Sequence, residues 1–400
     1  MAKIAIIGAG IIGVNSALEL AKAGHVVTLF DGKAPGTAAS YGNAGIIATN
    51  AAVPMNNPSL LPQIPNLLLG KAPYFHYQLR YCAQNSVPFA KFLGHCTKTS
   101  TEIRTAQLRS LIYDSVALYE QYKTDYSVDH LFRNTGWLKL YARRPDNDSE
   151  LEALKAQQIP YHAIDDLAQF EPALQRHDLH GVLLEDSHSV SQPIALTTAL
   201  FEAFLAQGGL FEQHAIEQLT QSTGHWTVNE HTFEHVVVCT GAYSKALLKA
   251  IGLKLPMIFE RGGHRTFEYI EGEPKLARPI YDPDGGYVLT PMHDGYRITC
   301  GVSLSDIEAP YSYHQLDYAE TLARKLVKMG NKARDDWWGA RPTLPDSMPA
   351  IGQTKLPGLW LNTGHQHMGL TAAPGSARRL CALFDNAQLE NPFSPSRFGL

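Results

Sequence analysis

Cysteine is scarce and irregularly placed. The five residues, Cys82, Cys96, Cys239, Cys300 and Cys381, are odd in number and never spaced as CxxC, so neither a disulfide framework nor a cysteine-based zinc site is expected. A reducing cytosol suits this pattern. An excess of positive charge is also missing: 34 Lys+Arg stand against 38 Asp+Glu, a formal net charge of −4, which leaves no basic field for a nucleic-acid partner. No stretch approaches the ~18 uninterrupted apolar residues that a membrane span requires. The opening Met-Ala-Lys-Ile-Ala-Ile-Ile-Gly lacks the basic flank and small-residue cleavage site of a secretory signal, so a cytoplasmic location is expected. Internal repeats and low-complexity tracts are absent. At 44% hydrophobic and 18% charged residues over 400, the chain is not collagen-like, disordered or coiled-coil, and it has room for roughly two to three domains.

What is present begins at the amino end. Residues 3 to 7 (KIAII) read as a buried strand, followed by Gly8-Ala9-Gly10-Ile11-Ile12-Gly13 and a helical pattern that closes on Gly24. This is GxGxxG in its strand-turn-helix setting: Gly8 allows the tight turn, Gly10 lets a pyrophosphate approach the backbone, and Gly13 brings helix onto sheet. The helix N-terminus then faces the phosphates. A second strand, HVVTLF, ends at Asp31, 21 residues beyond Gly10, where an acid accepts from both hydroxyls of a ribose. The unit predicts an adenine dinucleotide and does not by itself separate NAD from FAD. The small-residue run from Gly36 through Ser40-Tyr41-Gly42-Asn43-Ala44-Gly45 suits a backbone lying against an extended ligand, or else a surface loop.

Further along, His235-Val-Val-Val-Cys-Thr240-Gly241 reads as a short buried strand ending in small residues, suited to pass under an adenosine. The carboxy-terminal Gly339-Ala-Arg341-Pro342 … Pro349-Ala-Ile-Gly352 is followed by Asn362-Thr-Gly364-His365-Gln-His-Met368-Gly369-Leu370-Thr371 and an apolar helix carrying Pro374 near its first turn. A positive helix end there suits the anionic N1–C2=O edge of a reduced flavin. His365 and His367 alternate on one face of an extended segment; with no third Cys, Asp or Glu close by, no metal site is expected.

In their order and spacing, these stretches resemble the FAD-dependent amino-acid oxidoreductases of the D-amino-acid oxidase type, most closely the bacterial D-amino-acid dehydrogenases. The resemblance implies an FAD that contacts the backbone at Gly364, His365 and Met368 to Thr371, and hydride transfer from the substrate Cα to flavin N5. It also implies a carboxylate-gripping arginine at Arg341, in the family's Gly-x-Arg-Pro stretch, where a planar fork fixes both oxygens and aims the Cα–H bond. Tyr287, through its hydroxyl, and His264, through a ring near the amine, are weaker candidates for the pocket. No nucleophile-base pair is visible, and the resemblance requires none. Related sarcosine-type oxidases hold flavin through a cysteine near the position of Pro342 to Leu344; none stands here, so a non-covalent FAD is expected.

The expected fold is α/β: a discontinuous Rossmann-like FAD-binding domain from residues 1–50, 193–250 and 340–400, and a mainly antiparallel α+β substrate domain from 51–192 and 251–339. GWLKLYA, GVLLEDSHSV, GHRTFEYI, GYVLTPM and GYRITCGVSL supply the antiparallel strands. Residues 51–98 combine Pro54, Pro58, Pro62 and Pro65 with Leu67-Leu68-Leu69 and several tyrosines. They either pack as a helical arm on the substrate domain or touch the inner face of the plasma membrane beside a quinone or other electron acceptor. The expected substrate is a small D-amino acid or cyclic imino acid, such as D-alanine, D-proline or hydroxy-D-proline. The alternatives are a glycine- or sarcosine-type oxidase, a nicotinamide-dependent dehydrogenase and a non-catalytic flavin-binding protein.

Overall fold

The computed structural model describes residues 1–145, 149–222 and 224–400. Strand Lys3–Ile7 turns through the glycines into helix Ile11–Lys22 and returns as strand Val26–Phe30, parallel to the first. A six-stranded sheet is built around this unit. Its order is Leu210–Glu212, Val26–Phe30, Lys3–Ile7, His235–Val238, Leu359–Thr363 and Ala350–Gln353; all neighbours are parallel except the last pair. The central strands Lys3–Ile7 and His235–Val238 are apolar after their first residue because both faces are covered. Ile4 and Ile6 enter one core with Leu18, Leu196 and Leu380 from the helices, while Ala5 and Ile7 enter another with Trp226, Phe233 and Leu248.

A nine-stranded, largely antiparallel sheet forms the second layer system. From its edge it runs Trp337–Thr343, Ile258–Phe267, Tyr296–Leu304, Tyr287–Pro291, Ile280–Asp282, Trp137–Tyr141, His180–Leu184 and His162–Ile164, with Phe75–Tyr77 pairing beside Tyr296–Leu304. Helix His314–Leu326 backs it, packing Leu316, Ala319 and Ala323 against Tyr287, Leu289, Ile298 and Cys300. The arrangement is the α/β fold with a Rossmann-like sheet and an antiparallel α+β partner.

Two stretches differ in detail from the sequence pattern. GVLLEDSHSV divides into strands His180–Leu184 and His188–Val190. The second leaves the large sheet to pair with Ile46–Ile47 and Phe132–Arg133, because the Glu185-Asp186 turn between them redirects the chain. The proline-rich segment becomes short pieces: a 3₁₀ turn at Pro58–Gln63 and helices Ile64–Leu68, Leu79–Gln84 and Ser86–Gly94, tied to the large sheet by Phe75–Tyr77. Its Leu61, Leu68, Leu69, Leu79, Val87 and Leu93 are exposed. No helix among the described residues is long and apolar enough to cross a membrane.

Candidate functional site

The three glycines of the first turn have separate duties. Gly8 has φ +105°, and a Cβ there would stand 2.9 Å from the carbonyl carbon of Cys239; a Cβ on Gly13 would collide with the carbonyl oxygen of Gly8. These two are required by the protein's own packing. Gly10 is different: a Cβ would meet only the Ser40 hydroxyl, at 3.1 Å, so the space above it is reserved for something other than this chain. Ser40 Oγ accepts from the Ile11 N–H at 2.8 Å, at the first turn of the helix. Asp31 accepts from the Ala9 N–H at 2.8 Å and the Lys33 N–H at 2.9 Å, which pins its carboxylate at the strand end with lone pairs to spare. Thr240 and Gly241 follow strand His235–Val238, the Gly241 carbonyl accepting from the Thr363 hydroxyl at 3.2 Å. Gly10, Ile12, Asp31, Ser40, Thr240 and Gly241 all keep part of their surface open. They form a rim at the carboxyl ends of parallel strands, where open α/β sheets bind ligands.

From Ser40 the chain crosses onto the large sheet, and there almost every carbonyl is caught. Arg297 Nη1 donates to Tyr41 O at 3.0 Å and Asn43 O at 2.9 Å, His264 Nδ1 donates to Gly42 O at 3.2 Å, and the Thr290 hydroxyl donates to Ala44 O at 2.8 Å. The Asn43 side chain bridges Ser40 O and the Gly45 N–H. The face presented by His264, Thr290 and Arg297 is therefore the one turned toward the first sheet. Burial and the Arg297 charge push the His264 pKa down to about 3, so its ring is neutral; with Nδ1–H donating, Nε2 is a buried acceptor that no group of the protein fills.

The carboxy-terminal segment closes the other side. Thr343 and His365 form an isolated antiparallel bridge, and the Gln366 N–H donates to Pro342 O at 3.1 Å, which stitches Gly364–Met368 along the strand that carries Arg341. Helix Gly369–Asp385 starts there; Thr371 Oγ1 accepts from the Ala48 N–H at 3.1 Å and the Tyr119 hydroxyl donates to Leu370 O at 2.6 Å. His365 is buried and neutral, its pKa held near 3 by desolvation, and its Nε2 is again unpartnered. His367 is exposed although crowded by protein, and desolvation followed by the Arg341 charge lowers its pKa to about 4. The influence of the Arg341 charge places the two side chains near each other.

Arg341 and His264 thus stand on one face of the large sheet, and Tyr287 does not join them. Tyr287 pairs with Cys300, which pairs with Gly263, one residue out of phase with His264; its ring points to the opposite face, into the core against Leu316, and it is 1% exposed. Strand alternation decides this, since a one-residue offset reverses the face. Arg341 Nη1 donates to Gly301 O at 2.9 Å and, among the described residues, the guanidinium has no ion-pair partner. Glu260, directly opposite on the neighbouring strand, is buried and pushed toward its neutral form by desolvation, and it accepts from the Thr343 hydroxyl at 2.6 Å. Trp337, Arg297 and Gly262 share this face and motif reading passed over them, while Gly339 of the Gly-x-Arg-Pro stretch pairs with Gly262. The available signal was the glycine doublet Gly262-Gly263 inside a strand, a mark of close approach by another group. Among the described residues no group of three His, Cys, Asp or Glu could hold a metal ion.

A glycine turn at the carboxyl ends of parallel strands, with a segment that runs on to a large antiparallel sheet, defines a dinucleotide-binding protein. The family model for FAD dependent oxidoreductases of the DAO type matches residues 3–383, and the chain belongs to that family. It is 30% identical to a D-amino acid dehydrogenase of Allorhizobium ampelinum over 97% of this chain and 96% of that protein. It is 29% identical to a D-amino-acid oxidase of Bradyrhizobium diazoefficiens, over 99% and 98%. The fold is shared with L-proline dehydrogenase from P. horikoshii (TM-score 0.74, 18% identity, 100% and 98% covered) and glycine oxidase from Bacillus cereus (TM-score 0.72, 18%, 98% and 97%). The protein is an FAD-dependent oxidoreductase. The residues fit that cofactor: Gly10 leaves open space, and two buried imidazole nitrogens, Nε2 of His264 and Nε2 of His365, lack protein partners.

Proposed function

We propose that this enzyme oxidises a small D-amino acid or cyclic imino acid to the corresponding imine, holding its carboxylate on Arg341. The observation that carries this is a guanidinium without an ion-pair partner among the described residues, on a face whose other charged neighbour, Glu260, is pushed toward neutrality. An anionic substrate therefore supplies the missing counter-charge. The FAD-binding part is proposed as residues 1–50, 193–250 and 340–400, with the groove rim of Gly8, Gly10, Ile11, Ile12, Gly13, Asp31, Ser40, Thr240 and Gly241 on the dinucleotide. Gly42 to Gly45 and Gly364 to Thr371 approach the ring. The substrate part is 51–192 and 251–339. FAD held by these residues would supply the hydride acceptor for the substrate Cα–H. The chain's own residues orient and desolvate. Arg341 fixes the carboxylate, and the neutral His264 holds Gly42 in place. The amine enters deprotonated, because His264, His365 and His367 are all too acidic to take its proton near neutral pH.

The acceptor of the electrons is proposed to be a quinone or another carrier met through the exposed leucines of residues 58–93, a surface suited to the membrane interface. FAD is proposed to be non-covalent, because no cysteine stands near Pro342 to Leu344. Anaerobic mixing of the purified yellow protein with D- and L-alanine, D-proline, cis-4-hydroxy-D-proline, glycine and sarcosine is the deciding test. Bleaching by the D-amino or D-imino acids first is expected; bleaching only by glycine and sarcosine, or only by L-enantiomers, overturns the substrate class. Acid precipitation that leaves yellow colour in the pellet overturns non-covalent binding.

A further inference from the structure

Beside Arg341 the large sheet has a floor without side chains. Gly262 and Gly339 are directly opposite on adjacent strands. The space each leaves is taken by a neighbour. A Cβ on Gly262 would stand 2.7 Å from Arg341 Cζ, and a Cβ on Gly339 would stand 2.9 Å from Trp337 Cζ2. Paired residues of antiparallel strands have Cβ positions about 4.5–5.5 Å apart, so guanidinium and indole lean over neighbouring points of one floor. They are not stacked: among the described residues Arg341 makes no cation–π contact, in contrast to Arg261, whose guanidinium lies 4.1 Å from the Trp338 ring centre. Guanidinium and indole therefore stand side by side above the paired glycines.

The indole is braced. His264 lies nearly parallel to it, with ring centres 5.2 Å apart and 17° between planes, and Tyr41 meets it edge-on at 6.4 Å. The Gly42 backbone rests against its six-membered ring, which leaves no room for a Cβ. His264 and the Gly42 carbonyl are themselves hydrogen-bonded. Trp337 keeps part of its surface open, so it is a fixed wall with one free side.

We infer that Trp337 is the residue that limits the size of the substrate side chain. This rests on the proposed function, in which Arg341 holds the carboxylate. With the carboxylate on the fork, the indole is the partly open neighbour on the same face that the Cα substituent meets. Methyl groups and closed five-membered rings are therefore expected to be preferred over a benzyl group. Adding or removing a few carbons in such a pocket changes discrimination by about 10–200-fold.

The test compares FAD-loaded wild type, Trp337→Phe and Trp337→Leu. The readouts are anaerobic turnover of D-alanine and D-phenylalanine with a dye acceptor, and dissociation constants of acetate, benzoate and 2-naphthoate from perturbation of the flavin spectrum. The expected result is a D-phenylalanine to D-alanine ratio of kcat/KM that rises about tenfold or more in Trp337→Leu and less in Trp337→Phe. Naphthoate should tighten and acetate should not. If Trp337→Leu loses FAD or fails to fold, Trp337→Phe, which keeps the stack on His264, decides alone. A wild type that turns over D-alanine, loses that activity in Arg341→Lys, and keeps its substrate ratio and naphthoate affinity within twofold in the folded variants overturns the inference while the functional reading stands. A wild type whose flavin no amino acid bleaches overturns both.

Discussion

The guanidinium of Arg341 fills the place that a side chain at Gly262 would occupy, 2.7 Å from its Cζ to the position of the absent Cβ. The arginine thus depends on a glycine on the next strand for its pose. Gly262→Ala introduces no forbidden backbone angle, since φ at this position lies outside the left-handed region. It is expected to fold and bind FAD, and to lose about 10- to 100-fold in kcat/KM because the fork is displaced. Normal kinetics in this variant would show that Arg341 is held some other way.

Arg341→Ala removes the grip itself. Charge-assisted hydrogen bonds contribute about 1.5–3 kcal/mol each, so loss of a bidentate pair should cost about two to four orders of magnitude in kcat/KM. Arg341→Lys restores the charge without the fork and should recover only part of this. An Ala variant that stays yellow and works within about threefold of wild type removes Arg341 from the site.

Gly13→Ala and Gly10→Ala should separate folding from cofactor binding. The first sets a methyl group against the Gly8 carbonyl oxygen, and the melting temperature of even the FAD-free protein should fall. The second meets only the Ser40 hydroxyl, so FAD-free stability should hold while FAD affinity, read by fluorescence titration, weakens at least about tenfold. Equal loss of stability in both variants would contradict the division of roles.

Tyr287→Phe is expected to leave kcat/KM within about twofold, because the hydroxyl lies on the face of the sheet away from Arg341. A large fall in kcat/KM at unchanged melting temperature would return Tyr287 to the pocket.

The buried imidazoles give a pH dependence with a definite sign. His264 and His365 have folded-state pKa values of about 3, below the unfolded value of about 6.5. The unfolded chain therefore binds their protons first, and their stability contribution is complete above pH 6.5 and is lost as pH falls toward 3. Each ring steepens the loss by up to about 1.4 kcal/mol per pH unit. Urea unfolding of the FAD-saturated protein between pH 7.5 and 5 should show a shallower slope in His264→Asn than in wild type; identical slopes would mean that His264 titrates normally.

Local chemistry determined much of this protein from sequence alone. The GxGxxG turn, Asp31, the HVVVCTG strand and the carboxy-terminal glycines work through backbone geometry and through neighbours within a few residues, so their signals are contiguous. The class of fold, the dinucleotide and the family follow from them. Arg341 could be proposed from sequence because Gly-x-Arg-Pro is itself a short pattern. Tertiary structure alone decided which face each side chain takes, since a single step of strand register sends Tyr287 into the core and His264 onto the face of Arg341. Pairing of Gly262 with Gly339 and the bracing of Trp337 by Gly42 join positions 77 and 295 residues apart in the chain. No periodicity carries such information, because contacts across strands and between sheets are fixed by how the whole chain packs.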